Sequence, residues 1–486
     1  MGWPLTPKDQ KRYPHFDLPL PLDELIRIAS DPSEVAKNKF WPFLHYEKSW
    51  LRFREPNVSR DDLRKTRPIR YASRKDSAIY SRYRALLSER YEDLLASKGL
   101  SDCVLAYRRL PKPGLRGGKT NIDFAYDAFQ KIRTMGECSA VALDIKGYFD
   151  NMDHDIIKSQ WCRLLGVDRL PADHFRVFRS VTKYAWVDRD RLLARLGFLV
   201  IEPGKNGGLR KRWSTSRQAV PMQVCIPTTF RDLVAEDSGT ETPLLKVNDK
   251  GYGIPQGAPI SDVLANIYLL DFDEEMLAFA SGVGGHYMRY SDDILILLPG
   301  GEKEGLAAAE FASEKIRDHG SEIRIKKEKT EVIEFAFDAA GTLKSRNVTR
   351  PGGKDGLEYL GFRFDGRNAY LRDATLSGVL RKMTSVVRRE VRRTVAQYPG
   401  RDQTYLENQV LRRGIRQRFR KVRGFDEKQS KQRWTFYTYV RRAAQVFGRE
   451  GQNFYRQTRN QVPFLKRLIS GEVARALEKG SPPSLS

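Results

Sequence analysis

The stretch HYMRYSDDILILL (residues 286–298) decides the fold. Apolar residues flank a polar centre, so the pattern predicts a strand, a tight turn and a second strand. The turn places Asp292 and Asp293 at a hairpin tip. Adjacent carboxylates repel each other by about 1 kcal/mol at 4 Å in water and by more in a drier site, so a divalent cation would relieve the repulsion. Taken alone, however, two Asp residues in a turn are usually a solvated surface feature.

A second acidic position follows another apolar strand. The segment AVALDI (140–145) predicts a short strand with Asp144 near its end, and GYFDNMDHD (147–155) interrupts the strand and caps a helix. Mg²⁺ prefers oxygen ligands, usually one or two carboxylates plus substrate phosphates. Two such ions about 3.5–4 Å apart stabilise the attacking and leaving oxygens in phosphoryl transfer. The two acidic positions would suit a metal-dependent phosphoryl-transfer site, but the signal for one comes from the ordered set of motifs along the chain.

The remaining pattern predicts loops, a long helix and a second hairpin. Residues 188–250 have no clear periodicity and indicate an irregular insertion or a mobile loop. The Gly- and Pro-rich loop GYGIPQGAPIS (251–261) leads into one long amphipathic helix. Residues 356–373 predict a hairpin that turns at or just after Asp365. The chain beyond this hairpin is predominantly helical.

Positive charge is concentrated at one end of the chain. The 486 residues carry 86 Lys and Arg against 61 Asp and Glu, a net charge of +25, and residues 371–486 hold 27 of these bases but only nine of the acids. Bases alternate with apolar residues in LRRGIRQRFRKVRG (411–424) and with aromatic residues in KQRWTFYTYVRR (431–442). This composition favours binding to a nucleic acid, whose phosphates the bases would neutralise and whose bases the aromatic rings would stack on. A membrane surface or an acidic protein is the alternative partner, and the aromatic residues have an alternative place in an ordinary helical core.

Composition also excludes several classes of protein. The length suggests two to four compact units, and a hydrophobic fraction of 40% excludes a wholly disordered chain. No run of about 18 apolar residues occurs, so we expect no membrane span. The first residues lack an apolar segment of the kind that directs secretion, so we expect a cytoplasmic protein. The four cysteines lie far apart, which favours buried thiols over a zinc site or a disulfide framework.

Five motifs occur in a fixed order along the chain. They are ALDIKGYFDNMDH (142–154), GIPQGAPIS (253–261), YSDD (290–293), KKEKTEVI (326–333) and YLGF (359–362). Their order and spacing, over roughly residues 60–385, resemble the palm motifs of reverse transcriptases, most of all those of the retron and group II intron type. The resemblance implies an α+β right-hand polymerase fold with fingers, a palm with an antiparallel sheet, a helical thumb and a basic α-helical C-terminal region. The implied boundaries are 1–135 for the N-terminal region and fingers, 136–160 for the first part of the palm, 161–250 for fingers or an insertion, 251–370 for the second part of the palm with the primer-grip hairpin, and 371–486 for the thumb and basic C-terminal region.

The resemblance also implies a catalytic metal site. Asp144, Asp292 and Asp293 would be the catalytic residues, and they would bind two Mg²⁺ ions together with the carbonyl of Ile145. Mn²⁺ would be an alternative ion. The sequence has YSDD where related enzymes more commonly have YADD or YVDD, and Ser291 at that variable position should not abolish metal binding.

Other residues take nucleotide or primer roles by the same resemblance. Phe149 would stack under the deoxyribose and exclude a 2′-hydroxyl, and the alternative is a plain core phenylalanine. Gln256 would contact the incoming nucleotide and the template, and the alternative is a turn glutamine that caps the next helix. Lys329 would lie near the leaving pyrophosphate as a proton donor, and the alternative is a solvated lysine. Arg67 and Arg70 would hold the triphosphate. The primer grip would be formed by Tyr359, Leu360, Gly361 and Phe362, and the alternative is a bare hydrophobic hairpin.

A narrower resemblance concerns the biological role. The segments 33–50, 106–129 and 359–383 look like those of bacterial defence-associated reverse transcriptases of the so-called unknown group. This implies an antiviral enzyme that copies a partner non-coding RNA template into cDNA from dNTPs, with residues 385–486 binding the RNA. No zinc-type endonuclease or RNase H module is apparent after the palm motifs. The alternatives are a template-independent or protein-primed polymerase, with Tyr437, Tyr439 and Tyr455 among the hydroxyl donors, or a non-catalytic RNA-binding scaffold.

Overall fold

The computed structural model describes residues 3–51, 64–112, 114, 117–204, 208–235, 243–353, 355–419 and 435–480. The chain forms two compact units, each assembled from segments that are distant in sequence. Unit 1 comprises Met1–Arg108, Leu143–Leu298 and Leu306–Thr330, and unit 2 comprises Arg109–Ala142, Pro299–Gly305 and Glu331–Ser486.

Strands and helices alternate irregularly through the described residues. The strands are β1 (Phe43–Leu51), β2 (Arg64–Tyr71), β3 (Cys138–Asp144), β4 (Ala185–Asp188), β5 (Leu199–Pro203), β6 (Leu209–Trp213), β7 (Leu245–Val247), β8 (His286–Tyr290), β9 (Asp293–Pro299), β10 (Glu331–Phe337), β11 (Leu343–Asn347), β12 (Leu357–Tyr359), β13 (Phe362–Phe364) and β14 (Ala369–Leu371). The helices are α1 (Leu22–Ser30), α2 (Pro32–Lys37), α3 (Arg74–Ser97), α4 (Asn121–Met135), α5 (Tyr148–Asn151), α6 (His154–Leu165), α7 (Ala172–Thr182), α8 (Arg189–Arg195), α9 (Pro227–Phe230), α10 (Ser261–Tyr268), α11 (Leu270–Gly282), α12 (Glu302–Lys315), α13 (Asp373–Gln397), α14 (Gln403–Val410), α15 (Arg416–Phe419), α16 (Phe436–Phe447), α17 (Gly451–Thr458) and α18 (Gln461–Gly480).

A four-stranded sheet in unit 1 has the order β2-β1-β4-β7. Strands β1 and β2 pair antiparallel, with Leu44 opposite Tyr71. Strand β4 joins the other side of β1 in parallel, with Phe43 opposite Trp186, and β7 pairs antiparallel with β4. The sheet therefore combines the N-terminal hairpin with strands from the middle of the chain.

The prediction that residues 188–250 are irregular is wrong. Within its described residues this segment contains β5, β6, β7, α8 and α9, and several of its apolar side chains are buried together with Phe16 and Leu44. The buried members from the segment are Leu192, Leu193, Leu199, Val220, Val224, Cys225, Val234 and Leu244. The elements of this segment are too short for a period to be recognised in the sequence.

The predicted hairpin at residues 286–298 is confirmed. Strands β8 and β9 pair antiparallel with Tyr290 opposite Asp293, so Ser291 and Asp292 form the two-residue turn. The residues Ile294 to Leu298 of β9 are almost fully buried. Burial of this strand anchors the turn residues in the interior of unit 1.

The helix after the Gly- and Pro-rich loop differs from its prediction. Two helices, α10 and α11, replace the single long helix, and the chain breaks between them at Leu269, where ψ is 21°. Apolar residues continue through both helices, and Leu264, Leu269 and Phe272 are all fully buried. The periodicity therefore gave no indication of the break.

Unit 2 contains two groups of antiparallel strands. Strand β10 pairs with β3, with Ala142 opposite Glu331, and with β11 on its other side. Strands β12, β13 and β14 form a second sheet, in which the turn predicted at Asp365 is confirmed by a bond from its N–H to the Asn368 carbonyl (3.2 Å). An additional tight turn at Leu360 and Gly361 makes this a three-stranded sheet rather than the predicted hairpin.

The C-terminal part of unit 2 is helical, as predicted. Helices α13, α14 and α18 share a buried core, and the bases of α13 face outward, which is the amphipathic arrangement expected of a surface helix. The buried side chains include Met383, Val387, Val391, Leu406, Val410, Leu465, Ile469 and Val473. Tyr439 of α16 stacks on Phe362 with ring centroids 6.1 Å apart, so this aromatic residue packs inside the unit. Trp434 and residues 420–424 lie outside the described residues.

Two predictions made from composition agree with the structure. Within the residues that the structure describes, no helix has the length and apolar character needed to cross a membrane. All four cysteines are free thiols, of which Cys103, Cys138 and Cys225 are buried and Cys162 is partly buried. The predicted α+β class, with antiparallel strands and a helical C-terminal part, is confirmed.

Candidate active site

Backbone hydrogen bonds bring the end of β3 against the tip of the β8–β9 hairpin in unit 1. The N–H of Ile145 donates to the carbonyl of Asp292 at 3.1 Å, and the N–H of Lys326 donates to the carbonyl of Asp144 at 2.9 Å. Ile145 is fully buried, which fixes this junction in the interior. The structure therefore places Asp144 and Asp292, which are remote in sequence, next to each other.

Two lysines bind the carboxylate of Asp144. Lys326 donates to one oxygen, and Lys329 Nζ lies 2.5 Å from the other. Burial alone would raise the pKa of Asp144, but the hydrogen bonds and charges of the two lysines outweigh burial and lower that pKa. Lys329 is therefore not a freely solvated lysine, and Lys326 is a site residue that the sequence did not single out.

Asp292 has the opposite electrostatic environment. Burial, together with the charge of the neighbouring Asp144, raises its pKa, and a hydrogen bond from its own backbone N–H and the charges of Lys326 and Lys329 offset this only in part. Lys326 and Lys329 balance the charge of Asp144, so Asp292 is the carboxylate in the less favourable electrostatic environment. A cation beside Asp292 would stabilise its charged form.

The third acid is not brought into this pair. Asp293 is exposed at the start of β9, and within the described ranges no group of three or more His, Cys, Asp or Glu side chains is close enough to hold a metal. Asp144 and Asp292 supply hard oxygen donors, and Mg²⁺ commonly takes one or two carboxylates with phosphate and water as its other ligands. The two-acid set therefore fits such an ion when a phosphate ligand accompanies it.

The hairpin turn is held in an unusual backbone conformation. Ser291 has φ 61°, is 4% exposed, and its hydroxyl lies 2.9 Å from the hydroxyl of Tyr107, which itself has φ 64°. The guanidinium of Arg289 donates to the Ser291 carbonyl at 3.2 Å and forms a fully buried ion pair with Asp273. Neither the Tyr107 contact nor the Arg289 contact was predicted from the sequence. The serine at position 291, where related turns more commonly have an apolar residue, was a signal for a hydroxyl partner.

A cavity of about 340 Å³ adjoins this turn. Phe149 and Gln256 line it together with Tyr107, Arg84 and Asp262. The Ile254 N–H donates to the Phe149 carbonyl at 2.8 Å, which links the loop after β3 to the Gly- and Pro-rich loop. The two predicted nucleotide-contacting residues thus share one cavity, and Tyr107 connects that cavity to the Asp292 turn.

The two predicted arginines of the fingers have different surroundings. The Arg70 N–H donates to the Gln256 carbonyl at 2.9 Å, so this arginine lies beside the loop that lines the cavity. Gly257 permits the close approach, because a Cβ there would lie 2.7 Å from the Arg70 carbonyl oxygen. Arg67 lies further out on the same strand, exposed, with its guanidinium 5.8 Å from the ring of Trp50.

The predicted primer grip forms a tight turn in unit 2. Leu360 and Gly361 have φ 46° and 95°, and Tyr359 and Phe362 on either side are buried. The side chain of Asn121 donates to the Leu360 carbonyl at 3.0 Å and fixes the tip of the turn. The segment is therefore a rigid hairpin with its rings in the core of its unit.

One family model matches part of the chain. Residues 240–364 match the family model described as reverse transcriptase (RNA-dependent DNA polymerase). The matched stretch, about a quarter of the chain, includes Gln256, the Asp292 turn, Lys329 and the Leu360 turn, whereas Asp144 and Phe149 precede it. No curated protein sequence matches the chain.

Solved structures show a weaker likeness. Apo telomerase from Candida tropicalis, truncated from its C-terminal domain, aligns at 12% identity and a TM-score of 0.37 over 64% of this chain and 54% of that protein. Telomerase from Candida albicans in complex with a fragment of telomeric RNA aligns at 11% identity and a TM-score of 0.35 over 91% of this chain and 65% of that protein. The chain thus spans between about half and two thirds of the length of these structures.

Proposed function

We propose that this protein is an RNA-directed DNA polymerase that extends a primer with dNTPs by two-metal phosphoryl transfer. The observation that carries the proposal is the 3.1 Å bond from the Ile145 N–H to the Asp292 carbonyl, because it joins the chain at Asp144 to the hairpin turn, close enough for the charge of Asp144 to act on the Asp292 carboxyl. The family model that matches residues 240–364 describes the same activity.

The acids and their neighbours are assigned to the reacting phosphate. Asp144, Asp292 and the Ile145 carbonyl would hold the divalent ions, which reverse transcriptase domains use. When bound, such ions stabilise the attacking and leaving oxygens of the displacement. Lys329 carries its ammonium group 2.5 Å from Asp144 and is assigned as the proton donor to the leaving pyrophosphate. Asp293 is exposed, and we assign it no ligand role.

The cavity is assigned to the incoming nucleotide. Phosphoryl transfer depends on positioning and charge more than on covalent help from the protein. Phe149 would pack under the deoxyribose and leave no room for a 2′-hydroxyl, and Gln256 would contact the nucleotide and the template. Both side chains line the same cavity, which supports a shared ligand.

The biological role rests on sequence resemblance. We propose that the enzyme copies a cognate non-coding RNA in bacterial antiphage defence, because residues 33–50, 106–129 and 359–383 look like those of defence-associated reverse transcriptases. The RNA would bind the basic C-terminal region. The exposed arginines of α13 support this assignment, namely Arg388, Arg389, Arg392 and Arg393.

Primer extension on an RNA template with dNTPs and Mg²⁺ tests the proposed activity. The wild type should synthesise cDNA, and Asp292→Asn should lose about 10²–10³-fold or more of the rate, because a metal ligand supplies several kcal/mol of transition-state stabilisation. Asp168→Asn, an exposed acid elsewhere in unit 1, is the matched control and should retain full activity. Equal incorporation by the wild type and Asp292→Asn would overturn the proposal.

A further inference from the structure

The guanidinium of Arg70 lies against two neighbouring aromatic rings in unit 1. It lies 5.3 Å from the ring centroid of Tyr184 and 5.0 Å from that of Trp186, and the Arg70 side chain is only 11% exposed. Pairing of β1 with β4 brings Trp186 to the sheet that carries Arg70. The Tyr184 ring is itself fixed edge-on against Phe43, with centroids 5.9 Å apart.

Arg70 has hydrogen-bond donors that no described residue satisfies. Its Nε and Nη1 atoms are buried and have no hydrogen-bond partner within the described part of the chain. The carboxylate of Asp150 lies 3.8 Å from Nη1, which is an ion-pair distance but beyond a hydrogen bond. Buried donors without an acceptor are unfavourable, so this pair of nitrogens indicates a ligand that brings acceptor oxygens.

The surroundings identify the ligand as an anionic group at the nucleotide cavity. The Arg70 N–H donates to the carbonyl of Gln256, which lines the cavity, and the carboxylate near the guanidinium belongs to Asp150, which directly follows the cavity residue Phe149. A guanidinium donates charge-assisted hydrogen bonds to phosphate oxygens, and the Nε and Nη1 donors of Arg70 are available for such bonds. The phosphates of a nucleoside triphosphate match both the charge and the location.

We propose that Tyr184 and Trp186 are positioning residues that hold Arg70 ready for the triphosphate of the incoming nucleotide. An aromatic face attracts the cation without occupying its N–H donors, whereas a bonded carboxylate would neutralise the charge and compete with the phosphate. The identity of the ligand as a nucleoside triphosphate rests on the proposed function. Segment 161–250, which supplies both rings, thereby acquires a role in nucleotide binding.

A second arginine, the first residue of α8, provides the contrast. Arg189 lies 4.8 Å from the ring of Tyr46 on β1, but it also donates to the carboxylate of Asp190 at 2.8 and 2.9 Å. Its donors therefore have an acceptor within the protein. The Tyr46–Arg189 pair serves as a matched control for the Trp186–Arg70 pair.

Calorimetric binding of inorganic tripolyphosphate and of thymidine to the full chain tests the proposal without requiring catalysis. Trp186→Leu should weaken tripolyphosphate binding about tenfold and leave thymidine binding unchanged, since the loss of a desolvated cation–π contact is of this size. Tyr46→Leu should change neither affinity. Trp186→Phe keeps the core filled with a weaker cation–π partner and should cost about two- to threefold, so it decides the question if Trp186→Leu does not fold.

A double-mutant cycle assigns the effect to Arg70. In an Arg70→Gln background, Trp186→Leu should have no additional effect on tripolyphosphate affinity. Unchanged affinity in Trp186→Leu, or an equal loss with and without Arg70, would overturn the proposal. A third outcome separates the two proposals. If the protein made no cDNA but its tripolyphosphate binding still depended on Arg70 and Trp186, the proposed polymerase activity would be contradicted and the positioning role would stand.

Discussion

Lys329 Nζ lies 2.5 Å from one carboxylate oxygen of Asp144, while Lys326 binds the other oxygen. Both oxygens that would bind a metal ion are therefore engaged by ammonium groups. An ion that binds Asp144 has to replace at least one of these contacts, so the lysines act as internal competitors for the metal.

Removing one competitor should tighten metal binding. We expect Lys326→Met to increase Mn²⁺ affinity about 2- to 10-fold, which corresponds to the loss of one partly exposed ion pair. Electron paramagnetic resonance of free Mn²⁺ measures this affinity in the absence of nucleotide. Lys327→Met is the control, because Lys327 is exposed in the same short helical turn. Weaker Mn²⁺ binding by Lys326→Met would contradict the competition.

We expect the charged Asp292 carboxylate to lower the free energy of unfolding at neutral pH. Burial and the neighbouring Asp144 raise its pKa in the folded state, so the folded protein holds this proton more tightly than the unfolded chain does, and the contribution of Asp292 to stability falls as the pH rises. In EDTA at pH 7.5, Asp292→Asn should therefore melt at a higher temperature than the wild type. The difference in melting temperature between the two proteins should narrow as the pH falls through the pKa that Asp292 has in the folded state. It should be smallest below about pH 4, where the carboxyl is also protonated in the unfolded chain. A lower melting temperature for Asp292→Asn at pH 7.5 would contradict this account.

The hydrogen bond between Tyr107 and Ser291 should support catalysis by fixing the turn beside Asp292. Tyr107→Phe and Ser291→Ala each remove one hydroxyl of this bond, and each should lower kcat about 2- to 10-fold with little change in KM for dNTP. The double variant should be no slower than either single one, because both remove the same bond. Steady-state primer extension measures these values, and additive losses would show that the two hydroxyls act separately.

Phe149 should set the sugar preference. We expect Phe149→Ala to raise the use of ribonucleotides relative to deoxyribonucleotides by roughly tenfold or more, because the ring would no longer fill the space beside the 2′ position. The ratio of kcat/KM for rNTP and dNTP measures the preference. Phe175→Ala removes an exposed ring that does not line the cavity and should leave the ratio unchanged. An unchanged ratio in Phe149→Ala would remove its assignment as the selecting residue.

Gly257 should be required for the contact between Arg70 and Gln256. Gly257→Ala places a Cβ 2.7 Å from the Arg70 carbonyl oxygen at a residue with φ +120°, so it should lower the free energy of unfolding by about 1–3 kcal/mol and weaken triphosphate binding. Gly251→Ala in the same loop meets no atom within 4 Å and serves as the control. Urea denaturation measures the stability, and wild-type stability for Gly257→Ala would contradict the close approach.

Local patterns predicted much of the fold. The apolar runs on either side of Ser291 and Asp292 gave the β8–β9 hairpin, and the apolar run before Asp144 gave β3, because each of these elements is encoded by adjacent residues. The break at Leu269 and the short elements of residues 188–250 were not predicted, since packing rather than periodicity defines them.

The sequence by itself determined that carboxylates follow two buried strands and that positive charge is concentrated near the C-terminal end. Periodicity and composition are properties of neighbouring residues, so they can be read without knowing the fold. Tertiary structure alone decided that Asp144 lies beside Asp292 while Asp293 faces solvent, and that Lys326 and Lys329 bind Asp144. It also decided that Tyr184 and Trp186 lie against Arg70. These relationships depend on strand pairing and backbone bonds between distant segments, and no local pattern specifies the register of such pairing.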